Sequence, residues 1–200
     1  MSELMIDFIT SLDGYAAADG WPGLWGLEGP EYLAFLEDPA EQDHTTLMGA
    51  TTYRLMSAMA QAGGDPTVPE ASGDEAGFDA LARMPKVVFS ATLEEPLAWP
   101  NTRLVRDDAV ETVRRMKADG IRMRTLGSLS LARTLLTAGL VDRFRVGVFP
   151  VINGRTGRER IYDAYPDVAL DLVESRVFDG RILLLEYVPT VLERAPLESV

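Results

Sequence analysis

Two hundred residues are enough for one domain with a sizeable core, and 46% hydrophobic with 25% charged residues is a globular composition rather than a disordered one. A net charge of −12 argues against nucleic acid as a partner, and the absence of cysteine excludes disulfides and thiolate metal sites. No stretch approaches the roughly 20 apolar residues that span a bilayer, and MSELMIDFITSLDG has no basic n-region, so a cytoplasmic protein without a membrane partner is expected.

In chain order, Leu4–Ile9 (LMIDFI) is an apolar run that reads as a strand, closed by the turn signal TSLDG. Residues 16–30, AAADGWPGLWGLEGP, are too glycine-rich for a helix and too aromatic for a linker; Trp21 and Trp25 suggest a loop folded back over a pocket. Pro30 at the first helical position opens a helix to about Asp38, with Tyr32, Leu33, Phe35 and Leu36 as its apolar side. A strand over His44–Met48 turns at Gly49 into a helix over Thr51–Met59. Residues 61–77 are rich in Gly, Pro and acids, and read as a mobile surface loop inside a single domain spanning 1–200.

A helical piece over Phe78–Arg83 precedes strands at Lys86–Ser90 and Thr102–Val105. Asp107–Lys117 carries acids first and bases last, the polarity that complements a helix dipole. A strand over Ile121–Leu126 leads into a helix over Ser128–Ala138, whose stripe of Leu131, Leu135 and Ala138 stops at Gly139. Three further strands follow at Phe144–Phe149, Ala169–Phe178 and Arg181–Val188, the last two joined by the hairpin signal Asp179-Gly180. Alternating strands and helices imply an α/β domain in three layers, with a mainly parallel sheet and antiparallel edge strands from the closing hairpin.

In such a sheet the strand-to-helix turns share the carboxyl edge, where ligands bind. Met48-Gly49-Ala50-Thr51-Thr52, Ser90-Ala91-Thr92 and Leu126-Gly127-Ser128 each combine hydroxyls with tight geometry or free amides. Two readings of each stand: an ordinary helix cap, or part of a cradle for phosphate and ribose. Neither GxGxxG nor a Walker A lysine is present.

SLDGY (11–15), LMGATTY (47–53), KVVFSATL (86–93), LGSLSLARTLLTAGLVD (126–142) and FPVINGRTG (149–157) occur in an order and spacing that resemble the dihydrofolate reductase-like family, over about residues 4–190. That family includes the reductase domain of the bifunctional riboflavin-biosynthesis deaminase/reductase. The resemblance implies a central sheet of about eight strands with NADPH along its carboxyl edge. It carries cofactor contacts onto Gly49, Thr51, Thr52, Ser90, Gly127, Ser128 and Leu129. It also implies a homodimer acting on a small-molecule substrate, by hydride transfer to a small planar heterocycle resembling a pterin or aminopyrimidine. Two positions depart from the pattern: Ala50 stands where the family has a basic residue, with Arg54 or Arg106 as replacements, and Leu129 where a small residue is common.

Asp13 and Glu31 are the candidate catalytic carboxylates. Asp13 follows the first strand where the resemblance places the nicotinamide, and also reads as a plain turn former. Glu28 and Glu31 flank the first helix, where a carboxylate would suit the N–H donors of a heterocycle; the competing reading is an acid favoured by a helix start. Of the two, Glu31 is preferred. Tyr15, Trp21 and Trp25 either wall a pocket or anchor a loop. His44, the chain's single histidine, has no second ligand nearby, so no metal site is expected. A ligand-binding protein without turnover is the alternative function.

Overall fold

The computed structural model describes residues 2–20, 23, 26–62 and 75–193. Numbered along the chain, the central sheet runs from edge to edge as β5 (Thr102–Val105), β4 (Lys86–Phe89), β3 (Thr45–Gly49), β6 (Met123–Thr125), β1 (Leu4–Ser11), β7 (Arg143–Phe149), β10 (Ile182–Val191) and β9 (Val168–Phe178). The strands from β5 to β7 are parallel, and β10 runs antiparallel to both β7 and β9. The α/β class and the antiparallel hairpin follow the sequence reading. One detail differs: of the two hairpin strands only β9 lies at an edge of the sheet, opposite β5, because β10 pairs along β7 from Leu183↔Val148 to Tyr187↔Phe144.

A second sheet pairs β2 (Tyr15–Ala18) with β8 (Gly157–Arg160). Neither strand was legible, since YAAA and GRER lack the apolar–polar alternation that marks one. The helices are α1 (Pro30–Glu37), α2 (Pro39–Gln42), α3 (Ala50–Ala62), α4 (Glu75–Arg83), α5 (Ala109–Ala118) and α6 (Leu129–Thr137). Of the loop expected at 61–77, both ends are helical, and residues 63–74 lie outside the described residues, as do Trp21 and Trp25.

Strand alternation assigns the layers. Leu4, Ile6, Phe8, Leu47 and Val87 pack with Val113 and Met116 of α5 and with Leu131 and Leu135 of α6. Their neighbours point the other way: Ile9 packs with Tyr32 and Phe35 of α1, and Met48 and Val88 with Tyr53 of α3. Burying each such large side chain stabilises the fold by roughly 1.5–3 kcal/mol. The helix ends follow electrostatics. Asp108 caps α5 by accepting from Glu111 N at 3.0 Å. Lys117 in its last turn reaches Asp142 at 2.6 Å, and the same carboxylate oxygen accepts from Leu4 N at 2.8 Å, pinning the start of β1. Lys86, only 1% exposed, donates to the carbonyls of Leu81, Ala82 and Met84 at the end of α4 and lies over the Trp99 ring. Among the described residues, no helix is long and apolar enough to cross a membrane.

Candidate functional site

The carboxyl ends of the parallel strands form one rim. Because β10 runs the other way, its starting turn, residues 179–181, joins that rim beside β7. The three turns singled out from the sequence stand on neighbouring strands in the order β4, β3, β6. The last two are tied together. Gly49 N donates to Ser128 Oγ at 2.7 Å, and Ser128 Oγ lies 2.8 Å from Thr52 Oγ1 and 3.3 Å from Leu126 O.

Gly127 and Ser128 both lie in the left-handed region, at φ 53° and 61°. Glycine suits the first position; serine there is strained, and its three contacts hold it. Ser128 leaves α6 without a side-chain cap, so its first-turn amides face the rim. A Cβ on Gly127 would stand 3.3 Å from Thr52 Oγ1, so glycine keeps the turn open. These residues fit a dinucleotide pyrophosphate: free amides, a helix N-terminus and a close backbone approach. Thr51 is exposed in the first turn of α3, and Leu129 opens α6 beside Tyr15, Arg133 and Arg160 in a cleft of about 450 Å³. Ser90 faces inward on its own turn, its hydroxyl accepting from Thr92 N and Leu93 N, each at 3.1 Å.

The two candidate carboxylates are committed to backbone. Asp13 accepts from Ser11 Oγ at 2.7 Å, Asn153 N at 3.1 Å and Gly154 N at 2.8 Å, so it joins the loop after β1 to the loop after β7. Those donors, the Ser11 hydroxyl first, bring its pKa down to about 2; at neutral pH it is an acceptor and holds no proton to give. Glu31 accepts from Asp179 N at 2.6 Å, while Asp179 accepts from Glu31 N at 3.0 Å and Tyr32 N at 3.1 Å. This reciprocal clasp caps α1 from the hairpin turn. Gly29 permits it, since a Cβ there would meet the Asp179 carboxyl carbon at 2.3 Å.

Glu28 behaves differently. Its Oε2 is buried and finds no partner among the described residues; the neighbouring Tyr32 phenol has its pKa raised by burial first, then by the Asp7 charge and, less, by Glu28. Tyr32 is 3% exposed and packs edge-on against Phe149. Among the described residues, the α1 side of the rim therefore holds a carboxylate with one oxygen uncommitted. Its sequence signal is an acid two residues before the helix, a weaker pointer than Glu31 beside Pro30.

Deeper on the same face lies an ionic network that sequence reading missed. Arg145, 3% exposed, donates Nε and Nη2 to the two oxygens of Asp7 at 3.2 and 2.6 Å, and Nη1 to Glu41 at 2.7 Å. Arg124 also reaches Glu41 at 2.8 Å, and Phe35 covers the Arg145 guanidinium at 5.2 Å. His44 sits beside them; burial first, then the Arg124 charge, lowers its pKa to about 3 and keeps it neutral. The available signal was an acid inside LMIDFI and an arginine inside RFRVGVF, both at positions that alternation assigns to a covered face.

The arrangement of rim, turns and hairpin has relatives. Residues 2–184 match the model of the RibD C-terminal domain. The chain belongs to this family. A curated relative, the uncharacterized protein YyaP of Bacillus subtilis (strain 168), is 25% identical over 185 residues, covering 92% of this chain and 93% of YyaP. Among solved structures, a putative riboflavin biosynthesis protein from Shewanella sp. PV-4 superposes with a TM-score of 0.69 at 19% identity, over 94% of this chain and 99% of that one. A pyrimidine reductase-like protein from Corynebacterium diphtheriae gives 0.60 at 14% identity, over 94% and 92%. The diaminohydroxyphosphoribosylaminopyrimidine deaminase/5-amino-6-(5-phosphoribosylamino)uracil reductase of Thermotoga maritima gives 0.62 at 18%, over 94% of this chain but 57% of that one. Membership in a reductase-like family is thus established, and the structural neighbours share the fold.

Proposed function

We propose that the protein is an NADPH-dependent reductase of a small planar heterocycle, resembling a pterin or aminopyrimidine. The observation that carries this reading is the joined pair of turns on β3 and β6, which leaves the first amides of α6 facing the rim where a pyrophosphate would lie. When bound, the reduced nicotinamide supplies the hydride. Gly49, Thr51, Thr52, Gly127, Ser128 and Leu129 would hold the dinucleotide, with Ser90 toward its adenosine end. Asp13, fixed and ionised, would hold the loops after β1 and β7 in place beside the site rather than donate a proton. Glu28 would orient the substrate, because its unpartnered buried oxygen can accept an N–H from an amino-substituted ring.

The test is a titration of the protein with NADPH, followed by nicotinamide fluorescence, then cofactor oxidation with aminopyrimidines and pterins. Saturable binding below the millimolar range is expected, with turnover of at least one heterocycle and loss of that turnover in Glu28→Gln without loss of cofactor binding. Absence of saturable binding would remove the reading. A second reading, cofactor or nucleotide binding without turnover, draws support from the commitment of both Asp13 and Glu31 to backbone amides. Binding without oxidation in any substrate would select it.

We also propose a homodimer. Leu170, Leu172, Val177 and Leu183 of β9 and β10 are 36–62% exposed, an apolar surface of the kind a second copy covers, and β9 offers an unpaired edge. Sedimentation velocity should give about twice the 21.9 kDa chain mass, and Leu172→Lys should return the monomer.

A further inference from the structure

The loop after β7 carries the chain's one Asn-Gly step, Asn153-Gly154, inside FPVINGRTG. An asparagine followed by glycine is the pairing most open to spontaneous cyclisation. The glycine backbone nitrogen attacks the asparagine Cγ, an N–Cγ bond forms, and ammonia leaves with Nδ2. Water then opens the five-membered imide at either carbonyl, giving aspartate or isoaspartate, with no oxidant or reductant consumed. Glycine favours the attack because no Cβ hinders its nitrogen. The reaction needs a Gly154 nitrogen able to lose its proton, a peptide free to rotate, and a side-chain amide that nothing holds.

The structure supplies the third condition and withholds the first two. Asn153 Nδ2 is buried and makes no hydrogen bond among the described residues. Gly154 N, by contrast, donates to Asp13 Oδ2 at 2.8 Å, and Asn153 N donates to Asp13 Oδ1 at 3.1 Å. The Asn153 carbonyl accepts from Thr156 N at 3.0 Å and from Thr156 Oγ1 at 3.1 Å. Asn153 is thereby held at φ −84° and ψ −30°, at the start of a single 3-10 turn over Gly154–Thr156. Ring closure requires the Gly154 nitrogen to swing toward Cγ until it eclipses the Cα–Cβ bond, and at this helical ψ it stands well away from that position. A carboxylate 2.8 Å from the nucleophile also disfavours the amide anion that would attack. Asp13 is itself braced: Oδ1 accepts from Ser11 Oγ at 2.7 Å, and Ser11 Oγ accepts from Tyr15 N at 3.0 Å.

We propose that Asn153 is a latent deamidation site on the rim and that Asp13 keeps it intact by clamping the Gly154 amide. Conversion would add a negative charge to the residue whose own amide the Asp13 carboxylate holds, and would part the loop after β7 from the loop after β1. In the isoaspartate product the main chain runs through Cβ and gains a carbon, so the 3-10 turn loses its register as well. This protective task of Asp13 needs no bound ligand and is independent of the cofactor reading.

The test is incubation in warm, mildly alkaline buffer with site-resolved peptide mass spectrometry. The amide-to-acid mass change separates Asn153 from isomerisation at Asp-Gly steps such as Asp119-Gly120, which leaves the mass unchanged. The wild-type chain unfolded in guanidinium chloride gives the unclamped rate. Folded wild type should convert at Asn153 about tenfold or more slowly than that, the scale of one charge-assisted hydrogen bond. Asp13→Ala, with folding verified by circular dichroism, should recover most of the difference. Asp13→Asn, which keeps the size and one acceptor oxygen, should fall between, and Ser11→Ala, which removes only the brace, should move the rate the same way by less. Conversion at Asn101, the chain's other asparagine, should not change among the folded variants. Equal rates in folded and unfolded wild type would overturn the proposal. So would wild-type rates at Asn153 in whichever of the three variants fold.

Discussion

Arg145→Ala is expected to cost about 3–5 kcal/mol of folding stability, the scale for breaking a buried ion pair by removing one partner. Arg145 neutralises Asp7 and Glu41 at once, inside a layer closed by Phe35 and the α1–α2 segment. Without it, among the described residues Asp7 keeps only Arg124 at 3.7 Å and Glu41 only Arg124 at 2.8 Å, so two half-buried carboxylates share one cation. The measurement is urea unfolding followed by circular dichroism, with the shift in midpoint converted through an unchanged slope. A loss below about 1 kcal/mol would mean that the network behaves as solvated surface pairs do. Adding Asp7→Asn to Arg145→Ala should return part of the loss, because the cost comes from the stranded charge rather than from the missing contact. Since Tyr32 feels the charges of both Asp7 and Arg145, the double variant also tests whether this network steadies the α1 side of the rim.

Gly127→Ala should affect both stability and binding. The residue sits at φ 53°, where an L side chain costs roughly 1–2 kcal/mol. The new methyl would also stand 3.3 Å from Thr52 Oγ1, a hydroxyl that Ser128 holds at 2.8 Å while Ser128 accepts Gly49 N. Relief requires one turn to move relative to the other, and the slot between them is the proposed pyrophosphate seat. NADPH affinity should fall at least tenfold, which is about 1.4 kcal/mol. Gly139→Ala is the matched control: φ is 66°, and nothing lies within 4 Å of the added Cβ. It should show the same backbone cost in urea unfolding and no change in NADPH affinity. Equal effects of the two on binding would remove the β3–β6 slot from the site.

Gly49, Thr52, Gly127 and Ser128 stand in turns at strand ends, and the structure brings these turns into contact, because parallel strands necessarily place them at one edge. Asp13 and Glu31 carry the same local signature, and each spends its carboxylate on amides from a distant segment, Asn153–Gly154 and Asp179. No local pattern names those partners. Glu28 and Arg145 carry no comparable local signature, because burial, not residue type, gives them their weight.

What the sequence by itself determined is periodic and short-range: where the strands of the central sheet and the longer helices lie, that the sheet is mainly parallel, and hence that the hydroxyl-bearing turns share one rim. Apolar spacing, glycine and proline act within a few residues, so they can be read there. Which carboxylates stay free, that Asp13 takes the Gly154 amide, and that β2 pairs with β8 were decided only by tertiary structure. Each depends on residues that are remote in the chain and meet after the sheet closes, where a hydrogen bond or ion pair takes its strength from burial and geometry that no local pattern encodes.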